Sequence, residues 1–461
     1  MEVKFIGICY IFFLHCFTEV IGGKKLIVIL IDGVRWDYIS DSSLKGFRQI
    51  IDSGVKAPYV IPIFPSLSYP NWQSLVTGLY PENHGFVGNH FYDKATDSFF
   101  EMIPAAGAAD PHWWNDAEPI WITAEKNNKK SALYWWAGCE VEIKGAHPTI
   151  CERQYYDGPP IKEVNTDFQE RIDDFIEMFK YSKRFKDDRL SLVLMYYSSV
   201  DFNGHYNGPK SSDVKKALQD VDEILYKMQQ KIKEAHLQYD VNIMVVSDHG
   251  MTDTRPNVVR HIDLKKYASM IKHQMDYGGI SAIIPQPGML NKLVQEIAAD
   301  KMEGLRLYKK DDLPEKYHLK GSSKTAPLIL IAKKGYYIDL LGDPQKVSNG
   351  DKFVGHHGYD PHEVEDMRTI FLATGPDFKK GITTEVLNIT DIYNVMCTIL
   401  NIPALPNNGS WDRAKSMLVD RENNFPIVDG GASFTANSYC FLCVMLVTTC
   451  ILMYSGIILG L

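Results

Sequence analysis

The chain contains no internal repeat and no low-complexity tract, so repeat and fibrous architectures are set aside in favour of folded globular protein. It is short of positive charge. Lys and Arg number 49 against 57 Asp and Glu, a net charge of −8. That balance argues against nucleic acid as a partner, since phosphate backbones are bound by an excess of bases. It does not exclude phosphate esters, because bound cations can reverse a local field. Cysteine is scarce where a fold must form. Of eight, Cys9 and Cys16 lie at one end and Cys440, Cys443 and Cys450 at the other, leaving Cys139, Cys151 and Cys397. In an oxidising compartment Cys139 and Cys151 are the natural pair, closing a small loop. Cys397 sits in an apolar helical pattern and reads as a buried thiol.

No Lys or Arg follows the apolar run over 439–461; the last base is Arg421. A retained membrane-spanning helix should carry a cytoplasmic basic cluster. Small residues at Asp429, Gly430 and Ser433 lie in a spacer over 426–438 ahead of that run, so the pattern predicts a GPI attachment region there and a removed tail over 439–461. At the other end, an apolar run from Phe5 to Phe17 and small residues to Gly23 read as a signal peptide over 1–23. A catalytic domain over 24–425 is expected, exposed on the extracellular face of the plasma membrane. Sequons at Asn388 and Asn408 suit a glycosylated exterior.

Apolar runs at 26–31, 190–197, 241–246, 328–332 and 369–373 read as buried strands, with helical patterns at 166–181, 213–235 and 289–299 between them. The alternation predicts an α/β fold with a largely parallel central sheet flanked by helices on both faces. The stretch 257–352, richer in Lys, Gly and Pro, reads as an inserted subdomain.

The strands end in chemistry. The first runs into Asp32-Gly33, the second into Asp201 and His205, the third into Ser247-Asp248-His249-Gly250. In open α/β sheets the ligand site lies beyond the carboxyl ends of the strands, so three strands deliver acids and imidazoles to one edge. A further imidazole lies in Gly355-His356-His357-Gly358. One acid after a strand is usually a turn or helix cap. Four such sites together point to a metal centre, and mixed imidazole and carboxylate donors suit zinc. In Phe64-Pro65-Ser66-Leu67-Ser68-Tyr69-Pro70-Asn71, Pro70 predicts the first turn of a helix over about 71–78, with Ser68 at its N-terminus. There the helix dipole favours an alkoxide and a bound phosphate.

These segments, with Thr77-Gly78-Leu79-Tyr80-Pro81-Glu82-Asn83-His84-Gly85 and Gly88-Asn89, resemble the ectonucleotide pyrophosphatase/phosphodiesterase family of the alkaline phosphatase superfamily, over about 25–417. The resemblance implies an alkaline-phosphatase-like fold and two zinc ions per subunit. One would be held by Asp201, His205 and His357, the other by Asp32, Asp248 and His249 beside the nucleophile Ser68. It implies that the Asn89 amide steadies a non-bridging phosphate oxygen. Most relatives carry Thr where Ser68 stands, a change that keeps the hydroxyl.

The short chain, Ser68 in its Leu-Ser-Tyr-Pro-Asn context, and the segments 138–143 and 405–411 resemble a GPI-anchored, choline-specific glycerophosphodiesterase branch. That branch releases phosphocholine from glycerophosphocholine, lysophosphatidylcholine and related lysophospholipids. Quaternary ammonium recognition needs aromatic faces and an acid. Candidates are Tyr196, the aromatics between Trp113 and Tyr156, and one of Glu140, Glu142 or Glu152. A homodimer is left open. The rivals are a nucleotide pyrophosphatase, an alkaline sphingomyelinase-like phospholipase C, and an inactive surface receptor or adhesion module. The last predicts lost ligands, whereas every ligand position is filled.

Overall fold

A computed structural model describes residues 24–102, 107–153, 161–185, 190–341 and 353–419, which fall in one compact unit. The expected signal, spacer, anchor and tail segments lie outside the described residues, as do Tyr155 and Tyr156.

The chain builds an eight-stranded mixed sheet. In chain order its strands are β1 (Lys25–Ile31), β2 (Val55–Lys56), β3 (Ser131–Tyr134), β4 (Ile150–Glu152), β5 (Leu192–Tyr197), β6 (Val241–Val246), and later β11 (Phe371–Thr374) and β12 (Ile382–Thr383). Across the sheet they stand in the order β12-β2-β11-β6-β1-β5-β3-β4. From β6 to β4 all neighbours are parallel. The sheet is largely parallel, as expected, with one exception: β11 runs antiparallel to both β6 and β2. The cause is where the chain enters. The segment leading to β11 passes the carboxyl edge of β6, where Gly250 N–H donates to Met367 O at 3.0 Å, so β11 can only run back.

Every residue of β1 is buried. Leu26, Val28 and Leu30 join one core with helices α2 (Ser68–Thr77), α3 (Ile120–Lys126) and α8 (Asp391–Leu400). Ile27, Ile29 and Ile31 join another with α1 (Lys45–Ser53), α4 (Ile161–Phe185) and α6 (Ser212–Glu234). A strand alternates its side chains between faces, so the continuous apolar run requires cover on both. Each fully buried aliphatic side chain contributes about 1.5–3 kcal/mol. An exposed ion pair contributes about 0–1 kcal/mol, so burial holds the sheet.

The stretch expected as an insertion forms its own antiparallel sheet, β7 (Ile271–Met275), β8 (Ile280–Pro285), β10 (Leu328–Ala332) and β9 (Leu305–Lys309) in that order. Helix α7 (Leu290–Ala299) supplies Leu293 and Ile297 to a core with Leu328 and Leu330. Ile329 and Ile331, pointing the other way, pack with Phe64 and Leu67. This second sheet thus backs the segment that leads into Ser68.

Candidate metal centre and nucleophile

The segments that follow β1, β5 and β6, and one from later in the chain, meet at the carboxyl edge of those strands. Asp32 follows β1 directly. Asp201 and His205 lie together on the short helix α5 (Ser199–Asn207), one turn apart, and their Oδ2 and Nε2 are 3.4 Å from each other. Asp248 and His249 follow β6, with Asp248 Oδ2 and Asp32 Oδ1 each 3.4 Å from His249 Nε2. His357 arrives from the chain beyond the insertion. Its Nε2 is 3.2 Å from that of His205, and its ring stacks on His249 at 3.6 Å. All six acids and imidazoles expected in the centre are therefore gathered.

The grouping differs in detail from the implied one. Two triads have donor atoms within 4.8 Å of one another: Asp201, His205 and His357, and Asp32, Asp201 and His249. Asp201 stands between the two. His356, next to His357 in the chain, belongs to neither; its Nδ1 donates to the carbonyl of His357 at 2.9 Å.

The imidazoles share one device. His205 Nδ1 donates to Gly355 O at 2.8 Å, His249 Nδ1 to Gly250 O at 3.0 Å and His357 Nδ1 to Ser66 O at 2.9 Å. Each bond fixes the tautomer and leaves Nε2 as a bare acceptor facing the centre. Burial, joined by the neighbouring imidazoles, keeps His357 neutral well below its usual range, and burial lowers His205 to about 4.

The acids respond in the opposite sense. Burial first, then the charges of Asp248 and Asp201, push Asp32 well above the ordinary carboxyl range. Burial, with Asp248 beside it, raises Asp201 to about 7. Buried Oδ1 atoms of Asp32 and Asp201 have no hydrogen-bond partner. Buried acceptors without donors are costly. Carboxylate oxygens left bare beside three unprotonated imidazole nitrogens fit divalent cations, and the nitrogen and oxygen donor set favours zinc.

Ser68 is the first residue of α2, three positions earlier than the helix expected from Pro70. Its Oγ donates to His249 Nε2 at 3.1 Å, placing the hydroxyl on the Asp32–His249 side of the centre. Asn89 reaches the same place. Its Oδ1 accepts from the Tyr69 backbone N–H at 3.0 Å, leaving the carboxamide N–H groups to donate.

Several supports carry no sequence signature. Asp248 Oδ1 accepts from Gly33 N at 3.2 Å and His249 N at 2.9 Å, and its Oδ2 from Trp72 Nε1 at 2.7 Å. Tyr196, expected as a wall for an ammonium group, instead donates its hydroxyl to Asp32 Oδ2 at 2.6 Å and sets its ring edge against Trp72. The other aromatics proposed for that wall are also elsewhere: Trp113, Trp114, Trp121, Tyr134, Trp135 and Trp136 are all buried in core. Glu152 instead lies 3.4 Å from Arg171. Long aromatic runs signal apolar surface, and in this chain that surface is interior.

The cavity beside the centre, of about 620 Å³, is lined by Asn89, His205 and His357 together with the rings of Phe99, Tyr277 and Phe353. Among the described residues its carboxylates are Glu101 and Asp276, and no Lys or Arg lines it. Cys139 and Cys151 are disulfide-bonded with Cα atoms 5.5 Å apart, and Cys397 is a buried free thiol, both as expected.

An α/β sheet that gathers three acids, three imidazoles and a serine at its carboxyl edge defines a metal-assisted phosphoester-cleaving protein. The chain matches the Type I phosphodiesterase / nucleotide pyrophosphatase family over residues 26–360, and it belongs to that family as a phosphodiesterase. It is 33% identical to human ectonucleotide pyrophosphatase/phosphodiesterase family member 5, over 86% of this chain and 78% of that one. It is 30% identical to the human bis(5'-adenosyl)-triphosphatase ENPP4, over 86% and 82%. Mouse family member 7 is 32% identical, over 86% and 87%. Among solved structures, an inactive variant of murine family member 5 in complex with AMP superposes with a TM-score of 0.77 at 32% identity, covering 86% of this chain and all of that one.

Proposed function

We propose that the protein is a two-cation phosphodiesterase that cleaves choline phosphodiesters, glycerophosphocholine and lysophosphatidylcholine among them, and releases phosphocholine. The observation that carries the choline assignment is the charge of the cavity next to Asn89, His205 and His357. With the carboxylate of Glu101 and the rings of Phe99, Tyr277 and Phe353 in its lining, and no Lys or Arg among the described lining residues, it suits a quaternary ammonium and disfavours a polyphosphate. The branch resemblance of the segments 138–143 and 405–411 supports the same reading.

Asp201, His205 and His357 would hold one zinc ion, and Asp32, Asp248 and His249 the other, with Asp201 near both. Bound cations supply Lewis-acid charge that lowers the serine hydroxyl's pKa and offsets charge on the phosphate oxygens. Ser68 Oγ bonds to phosphorus as the bond to the glycerol or monoacylglycerol oxygen breaks, and that alcohol leaves. The Asn89 amide donates to a non-bridging oxygen as its charge grows. Water then cleaves the Ser68–phosphate ester, freeing phosphocholine and the hydroxyl. We place the enzyme on the extracellular face of the plasma membrane, held by a GPI anchor, with Asn388 and Asn408 as glycan sites.

The test offers the purified protein glycerophosphocholine, lysophosphatidylcholine, sphingomyelin and a nucleotide ester, with and without a chelator. Phosphocholine release should fall to background with chelator, and by at least about 1000-fold in Ser68→Ala. The AMP complex of the murine relative favours a second reading, nucleotide hydrolysis. Faster turnover of the nucleotide ester would decide for it. Full activity in Ser68→Ala would remove the nucleophile.

A further inference from the structure

The turn between β7 and β8 lies in the second sheet, yet its Asp276 and Tyr277 line the cavity beside the centre. Asp276 opens this turn in a left-handed conformation, φ 54°, and its side chain is 9% exposed. Both carboxylate oxygens are used on one loop. Oδ2 accepts from the backbone N–H of Asn89 at 3.1 Å, and Oδ1 accepts from His90 Nδ1 at 3.0 Å. The contact is close-fitting: a Cβ on Gly88 would lie 2.4 Å from Asp276 Oδ2. The turn is anchored on both sides: Gly278 and Ile338, on the neighbouring strand Tyr336–Ile338, exchange backbone hydrogen bonds at 2.9 and 3.0 Å, and Ser281 Oγ of β8 donates to Asp276 O at 3.1 Å. It also presses on the segment that carries His357, since a Cβ on Gly279 would stand 2.5 Å from Tyr359 N.

Asn89 is therefore gripped at two points. Tyr69 N–H holds its carboxamide oxygen and Asp276 holds its backbone N–H. The first grip comes from the helix of the nucleophile and the second from the insertion. With one end alone, the carboxamide could swing about its side-chain torsions. With both, its free N–H groups have one direction, as an oxyanion donor requires.

We propose that Asp276 is a positioning residue: through the Asn89 backbone it aims the Asn89 amide at the phosphate, coupling the inserted sheet to the reaction. The inference rests on the phosphodiesterase reading and on the part given there to Asn89.

The experiment is a double-mutant cycle on the full enzyme, with Asn89→Ala, Asp276→Ala and Asp276→Asn, measured on glycerophosphocholine for kcat and KM separately. Asn89→Ala should lower kcat by about 100-fold, the size seen when one oxyanion donor is removed. Asp276→Ala should lower kcat by about tenfold with KM within about twofold, and Asp276→Asn, which keeps an acceptor oxygen, should recover most of the loss. In the Asn89→Ala background, Asp276→Ala should cost less than about twofold, because nothing remains to be aimed. Full additivity of the two losses would overturn the proposal, as would a change in KM alone or failure of the Asn variant to rescue. A purely structural role would lower the melting temperature and cut kcat equally in both backgrounds. If Asp276→Ala does not fold, the Asn variant decides: wild-type-like kcat with Asn89→Ala impaired supports the acceptor role, and a loss additive with Asn89→Ala rejects it. An Asn89→Ala enzyme of full activity would instead sink the role of Asn89, a failure separate from that of Asp276.

Discussion

The indole of Trp72 donates to Asp248 Oδ2 at 2.7 Å from inside a buried aromatic cluster with Tyr69 and Tyr196. Trp72 occupies the first turns of the helix that starts at Ser68, so the element that presents the nucleophile also orients an acid of the centre. Outer hydrogen bonds of this kind typically govern metal affinity by about 10–100-fold. Trp72→Phe keeps much of the ring packing and removes the donor. It should weaken metal binding by at least about tenfold, read by competition against a calibrated chelator, with a smaller loss of fold stability. Tyr196 has the matching part at Asp32, although its aromatic character in the sequence suggests a ligand-binding face. The chemical type is visible in the sequence; the atom that acts, a hydroxyl 2.6 Å from a carboxylate, is not.

Elements place the donors, and their spacing leaves little room. Gly33 turns the chain out of β1 with φ +72°, and a Cβ there would lie 2.8 Å from Asp201 Cα and Cβ. Strand and helix α5 approach this closely because the position has no side chain. Gly33→Ala must therefore push α5 away or distort the turn that carries Asp32. A positive φ alone costs a non-glycine residue about 1–3 kcal/mol. The expected outcome is a folded but less stable protein that has lost at least about tenfold in catalytic rate and in metal affinity, seen by thermal melting and activity at fixed metal. Asp201 and His205 follow one strand in the sequence, and the structure places both on α5, one turn apart. The antiparallel entry of β11 and the docking of the insertion needed the whole chain.

For the whole molecule, the centre opposes folding when it is empty of cations, and pH sets by how much. Asp201, raised by burial to about 7, favours the folded apo protein while protonated. Its contribution is complete below the unfolded carboxyl pKa and is lost as pH rises through about 7. His205, lowered to about 4, acts in the other sense: the folded form is penalised as pH falls below the unfolded imidazole pKa toward about 4. The two effects oppose each other in mildly acidic solution, and above about pH 7 the buried ionised acids stand alone. Cations neutralise that charge and need deprotonated ligands to bind. The melting temperature gained on adding zinc to chelated protein should thus be larger at pH 8 than at pH 5.5. Equal gains at both would show that these acids do not titrate with the metal.

Strand runs, the acids and imidazoles at their ends, the serine before a helix and the lone cysteine pair were all legible in sequence. Each depends on neighbours a few residues away: burial on both faces demands a continuous apolar run, and the turn that ends a strand presents its own side chains at the sheet edge. Tertiary structure decided what depends on residues far apart. It set Asp201 between two groups of donors, gave Tyr196 and Trp72 to carboxylates, sent the tryptophans of 113–136 into the core, and brought Phe99, Tyr277 and Phe353 to the cavity. An aromatic ring has the same composition in a core and in a pocket. Only the packing around it determines whether its face meets another side chain or open space.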